Sequence, residues 1–117
     1  MNALAVGSFA LAAGIAFGAF GAHALGDVGP DRTRWWTTGS HYHLIAAIGL
    51  MLLGLLQRQR PTSAGPGWVL LAGLVLFSGS LYAMTLGAPR ALGAVTPVGG
   101  LCLMAGFAWL GVLALGR

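Results

Sequence analysis

The chain has 117 residues, of which only six Arg and two Asp are charged, while 57% are hydrophobic and 20 are Gly. A charged fraction of 7%, against about 25% for soluble domains, excludes an ordinary water-soluble fold, a charged coiled coil and a disordered tail. The charges fall only at 27–34, 58–60, 90 and 117, and they leave uncharged runs over 1–26, 35–57, 61–89 and 91–116. Even the shortest run reaches roughly 34 Å as a helix, enough for a hydrocarbon core of about 30 Å. The chain therefore reads as one all-α integral membrane domain over 1–117, a four-helix bundle whose solvent is the lipid bilayer. Its excess of Arg over Asp does not point to nucleic acid. The Arg residues are few and scattered, and they stand where membrane anchors belong.

The first run predicts helix one over 3–25. Met1–Asn2 lacks the basic start of a secretory signal and the apolar stretch outlasts a signal core, so this helix is expected to be retained. Gly14, Gly18 and Ala22 are spaced one turn apart, with Gly7 and Gly21 as further small positions. Such rows let helix backbones approach in lipid, where hydrophobicity cannot drive association.

The connection 26–38 is the most polar stretch. Pro30 is placed to open a helix with Asp31 in its first turn, Arg32 and Arg34 can reach headgroup phosphates, and Trp35 and Trp36 look like an interfacial belt. These features predict a short interfacial helix that bends into helix two. Helix two is predicted over 39–57, ended by Arg58-Gln59-Arg60-Pro61, with Arg58 and Arg60 as anchors on the opposite side. Helix three is predicted over 67–87, with Gly87-Ala88-Pro89 as its stop. Helix four is predicted over 97–116, with Thr96 as cap and Pro97 at its first position.

Four spans put both termini on one side. Arg58, Arg60 and Arg117 lie there, against Arg32, Arg34 and Arg90 across the membrane, so the positive-inside count is tied. The amino-terminal charge tips the expectation towards cytoplasmic termini.

Groups able to carry chemistry are few. Without Glu or Lys there is no carboxylate pair within the membrane, and no phosphate-cradling or dinucleotide fingerprint is present. A lone Cys102, mid-span, reads as a buried small hydrophobe. Of the three histidines, His23 closes helix one while His41 and His43 open helix two. His41 and His43 stand about 200° apart on a helix and no carboxylate or thiol completes a shell, so hydrogen bonding between helices is expected rather than a metal. The hydroxyls of Ser78, Ser80, Tyr82 and Thr85 on helix three, with Tyr42 and Thr96, are expected to bridge neighbouring helices. The other use for them is a polar lining for an anion or neutral solute. No cofactor is called for. The expected partners are the lipid bilayer and either a second copy or another membrane protein.

Four segments in this order, Gly18-Ala19-Phe20-Gly21-Ala22-His23, Trp36-Thr37-Thr38-Gly39 leading to Tyr42-His43, Leu76-Phe77-Ser78-Gly79-Ser80-Leu81-Tyr82 and Thr96-Pro97-Val98-Gly99-Gly100, resemble the YgdD/YwdK-like family of small bacterial membrane proteins. That family is a domain of unknown function with a eukaryotic transmembrane relative. The resemblance implies four transmembrane helices, a bacterial cytoplasmic-membrane location and cytoplasmic termini, but no reaction. It also implies a departure. Relatives commonly carry His where this chain has Ala46, which argues further against a cluster of imidazoles around a metal. The most economical reading is a non-enzymatic membrane bundle that associates with itself or serves other membrane proteins.

Overall fold

A computed structural model describes residues 1–116; Arg117, one of the charges counted on the terminal side, lies outside the described residues. Four helices are long and apolar enough to cross a membrane. Helix α1 is Ala3–His23, α2 is Pro30–Gln59, α3 is Gly65–Thr85 and α4 is Thr96–Leu115. A 3₁₀ turn over Arg90–Ala94 leads into α4.

The starts and stops follow local chemistry. Asn2 opens α1 by accepting the Ala5 N–H on its side-chain oxygen at 3.1 Å, satisfying one of the orphan donors of a helix start. The connection to α2 turns on Gly26 and Gly29, both left-handed at φ 77° and 89°, a conformation that other L-residues adopt only with strain. At its far end α3 closes with Gly87 at φ 113° and the Ala88 N–H donating to the Ala83 carbonyl at 2.9 Å, the pattern of a Schellman stop.

Two expectations about these elements are corrected. No separate interfacial helix precedes α2 among the described residues. Pro30 occupies its first turn with Asp31 behind it, and the helix runs unbroken to Gln59. The polar residues that suggested a bend are absorbed into the helix. Thr33 donates to the Gly29 carbonyl at 2.8 Å and Thr37 to that of Thr33 at 2.9 Å. At 30 residues, α2 is about 45 Å long, so its first turns stand beyond a hydrocarbon core of about 30 Å. Thr96, expected as the cap of α4, lies inside the helix instead; Val95 precedes it and gives no side-chain cap.

Helix α3 is not uniform. Leu74–Ser78 form a π-turn, in which the Gly79 N–H reaches back five residues to the Leu74 carbonyl. Such an inserted residue changes which side chains share a face on either side of it.

Helices α2 and α3 form the centre and α1 and α4 flank them. In the most apolar window of each span, half of α2 and 39% of α3 are buried, against 17% for α1 and for α4. Ala46 and Leu50 of α2, Leu70 of α3 and Leu103 of α4 make the buried cluster. Glycine sets the closeness of the helices. A side chain at Gly7 of α1 would meet the backbone of Ala47 and Met51 at 2.7 Å, so α1 and α2 are in backbone contact there. The small row on α1 facing α2 runs through Gly7, Gly14, Gly18 and Gly21; Ala22, expected to extend it, is exposed.

Both termini and the α2–α3 connection share one end of the molecule. There Arg60, expected as a free anchor, donates to the Leu113 carbonyl at 2.6 Å and to that of Gly116. It supplies donors and positive charge where a helix C-terminus lacks both. Arg58 is exposed. At the opposite end Arg34 pairs with Asp31 at 3.0 Å on the surface, Arg32 is exposed, and the Arg90 guanidinium lies 5.4 Å from the centre of the Trp35 ring.

Candidate functional site

Two buried polar side chains, His43 of α2 and Tyr82 of α3, meet where α1, α2 and α3 come together. The joint lies nine residues past Arg34 on α2, about 13 Å along the helix axis and within the hydrocarbon. His43, 4% exposed, has its Nε2 2.8 Å from the Ala10 carbonyl of α1 and its Nδ1 2.9 Å from the Tyr82 hydroxyl of α3. A carbonyl only accepts, so Nε2 carries the hydrogen, and Nδ1 then accepts from the Tyr82 O–H. Both partners thus fix one neutral tautomer of the imidazole.

The Ala10 carbonyl is accessible because of Gly14. In an α-helix the N–H of Gly14 already bonds that oxygen, whose second lone pair remains free. A Cβ at Gly14 would lie 3.1 Å from His43 Cδ2 and 3.3 Å from its Nε2. Its absence is what lets the imidazole approach from the side.

An aromatic shell surrounds this joint. Phe17 of α1 meets His43 and Tyr82 edge-on, with ring centres 5.7 and 5.0 Å away, and Trp36 packs on Tyr82 at 4.5 Å. Trp36 departs from the belt that the sequence suggests. It is 5% exposed, and its indole N–H donates to the Phe17 carbonyl at 2.8 Å. A buried indole needs such an acceptor, and α1 offers one because Gly21 leaves room for the ring. Replacing Trp36 by Phe keeps a ring but removes the donor; it should destabilise the detergent-solubilised protein by about 1 kcal/mol, measured as the shift in its unfolding midpoint. Trp35, by contrast, is half-buried under Arg90.

The remaining hydroxyls bind α3 to its neighbours. Ser78, fully buried, donates to the Gly39 carbonyl of α2 at 2.6 Å. Ser80 and Thr96 of α4 share a hydrogen bond at 2.6 Å. Thr85 bonds the Leu81 carbonyl of its own helix at 2.9 Å and approaches the Arg32 carbonyl of α2 at 3.1 Å. The π-turn lies at the start of this ladder, so Ser78 meets α2 while the preceding residue, Phe77, presses its backbone against Gly99 of α4. A solute path along helix three would need these hydroxyls free. Among the described residues they are spent on helix contacts.

His23 and Tyr42, both expected between helices, lie on the surface. His23 is exposed, and Tyr42 is 41% exposed with its ring edge-on to Phe77 at 5.1 Å. His41 is exposed as well. The histidines are not gathered, and no group of three His, Cys, Asp or Glu among the described residues could hold a metal. Sequence reasoning missed Phe17, Gly39 and the Ala10 carbonyl. Gly14 gave the only hint, as a small position one turn beyond Ala10.

Four bilayer-length helices joined by short turns, with buried hydroxyls and one imidazole bonded between them, define a small multi-pass integral membrane protein. The chain belongs to the family described as a protein of unknown function (DUF423), whose model matches residues 17–100. It is 37% identical over 105 residues to the UPF0382 membrane protein YwdK of Bacillus subtilis, covering 86% of this chain and 85% of that one. It is 43% identical over 108 residues to the UPF0382 inner membrane protein YgdD of Escherichia coli K12, covering 86% and 79%. It is also 40% identical over 95 residues to the UPF0382 membrane protein SH2409 of Staphylococcus haemolyticus, covering 80% and 76%. No solved structure matches the chain.

Proposed function

We propose that this protein is a non-enzymatic bundle of the bacterial cytoplasmic membrane, with both termini in the cytoplasm, that acts by associating with a second copy or with other membrane proteins. The observation that carries this reading is the closure of the interior. Among the described residues, every buried side-chain nitrogen and oxygen has a hydrogen-bond partner within the chain. A site that binds or transforms a substrate keeps some groups free to meet it. Here the buried groups are committed to holding helices together, which leaves the outer surface as the place where the protein acts. The flanking helix α1 offers one such surface, with Phe9 79% and Ile15 61% exposed. The inner-membrane relative YgdD supports the location, and the amino-terminal charge, added to a tied Arg count, supports the orientation.

The test is cysteine cross-linking in native membranes, with Phe9→Cys or Ile15→Cys in a Cys102→Ala background, together with native mass spectrometry of protein released without delipidation. A cross-linked dimer or a reproducible heteromer is the expected result. A strictly monomeric species that forms no cross-link would reject association. A fusion of green fluorescent protein to the C-terminus should fluoresce, and activity of alkaline phosphatase fused there instead would reverse the orientation.

A further inference from the structure

A groove of about 660 Å³ opens towards lipid where α2, α3 and α4 meet. Its walls include Tyr42 and Ile45 of α2, Phe77 of α3, and Gly100, Met104 and Phe107 of α4. Gly100 leaves the groove open beside the Phe77 ring, whose Cδ2 and Cε2 would lie 3.6 and 3.7 Å from a side chain there.

The groove has a head and a foot. Trp35, Thr38, Tyr42 and Ile45 follow one another at three- and four-residue steps, so they form one stripe along α2. The ten residues from Trp35 to Ile45 cover about 15 Å, half of a hydrocarbon core of about 30 Å. The stripe thus runs from headgroup level to the bilayer midplane, the reach of one acyl chain in one leaflet. At its head the Arg90 guanidinium is held over the Trp35 ring. Arg34 nearby is paired with Asp31, but Arg90 enters no ion pair among the described residues. Trp35 stands one helical turn before Thr38, which lines the groove, and a cation fixed on its face at headgroup level, next to an apolar channel about one chain long, is complementary to one kind of molecule. The Tyr42 phenol, on the groove wall and without a hydrogen-bond partner within the described chain, adds a donor below it.

We propose that this groove is a binding site for an anionic glycerophospholipid of the leaflet on the side of the α1–α2 connection. One acyl chain lies along Tyr42, Phe77 and Phe107, and the phosphate meets Arg90. The proposal is independent of the association surface on α1.

Native mass spectrometry of the detergent-solubilised full chain, titrated with phosphatidylglycerol and with phosphatidylcholine of the same acyl chains, tests it. Phosphatidylglycerol is expected to bind more tightly. Arg90→Gln should weaken it about fivefold, as befits one basic residue at a membrane surface, and should reduce the preference over phosphatidylcholine. Gly100→Leu should weaken both lipids. Its Cβ would meet only the Phe77 ring, at 3.6–3.7 Å in ordinary contact, so the unfolding midpoint should not fall. Equal binding of the two lipids with no effect of Arg90→Gln would overturn the proposal. So would glycerol phosphate competing as well as the intact lipid, which would mean a headgroup site without a chain. A dimer abolished by Gly100→Leu would show that a second copy fills the groove, and that outcome also overturns it.

Discussion

Replacing His43 by Ala is expected to lower the stability of the solubilised protein by about 3 kcal/mol. The imidazole is 4% exposed and joins three helices. Its loss leaves a cavity beside Gly14, Phe17 and Tyr82. It also leaves the Tyr82 hydroxyl without its acceptor in hydrocarbon, where no water substitutes. The hydrogen bonds alone do not carry the figure, since such bonds within membranes average about 0.6 kcal/mol; most of it comes from the cavity. Tyr82→Phe separates the two contributions. It removes the O–H and little volume, so a loss of about 1 kcal/mol is expected. In the double variant the hydroxyl is already gone, so its loss should be smaller than the sum of the singles. Unfolding of the purified protein by titration with a denaturing detergent measures all three. A His43→Ala variant within about 0.5 kcal/mol of the parent would show that the joint does not hold the helices together.

The four helices are legible in the sequence because one physical quantity decides them. A span must be apolar over its whole length, and the eight charges mark the places where it is not. The same uniformity hides what happens inside. In a soluble helix the apolar stripe tells which face is buried; α1 and α4 are apolar all round, so nothing in their pattern says that Gly14 faces His43 or that Gly99 faces Phe77. Trp36 shows the difficulty in one residue. Beside Arg34 and Trp35 it has the company of an interfacial anchor, yet one further step around α2 carries its ring between α1 and α3. That direction depends on the phase of α2, and hence on the helix starting at Pro30 rather than at 39. The π-turn is equally silent. Leu74–Ser78 contain no proline, and the glycines on either side hold ordinary helical angles. The turn lies where α3 meets two helices at once, Ser78 bonding Gly39 of α2 and Phe77 packing on Gly99 of α4, contacts that the local sequence does not encode.

The contact of α3 with α4 gives the second large effect. A side chain at Gly99 would collide with the backbone of Leu76 and Phe77 in the π-turn. Backbone cannot swing aside as a flexible side chain can, so Gly99→Leu must drive α4 away from α3. The separation would also pull Thr96 from Ser80, now 2.6 Å apart, and loosen Leu103 from the buried cluster of Ala46, Leu50 and Leu70. Packing is the main force between helices in lipid, where burial of apolar surface gives no net gain, so losing this contact is expected to cost about 3 kcal/mol or more. Gly79 is the internal control. It lies two residues from Phe77 on α3 at helical angles, φ −61° and ψ −43°, and a Cβ there meets nothing within 4 Å. Gly79→Ala should therefore stabilise by about 0.5–1 kcal/mol, as alanine does at an unobstructed helical position. Opposite signs at the two glycines would tie the effect to the backbone contact rather than to glycine content. If Gly99→Leu unfolds at the parent's midpoint, α3 and α4 are not held at the separation described.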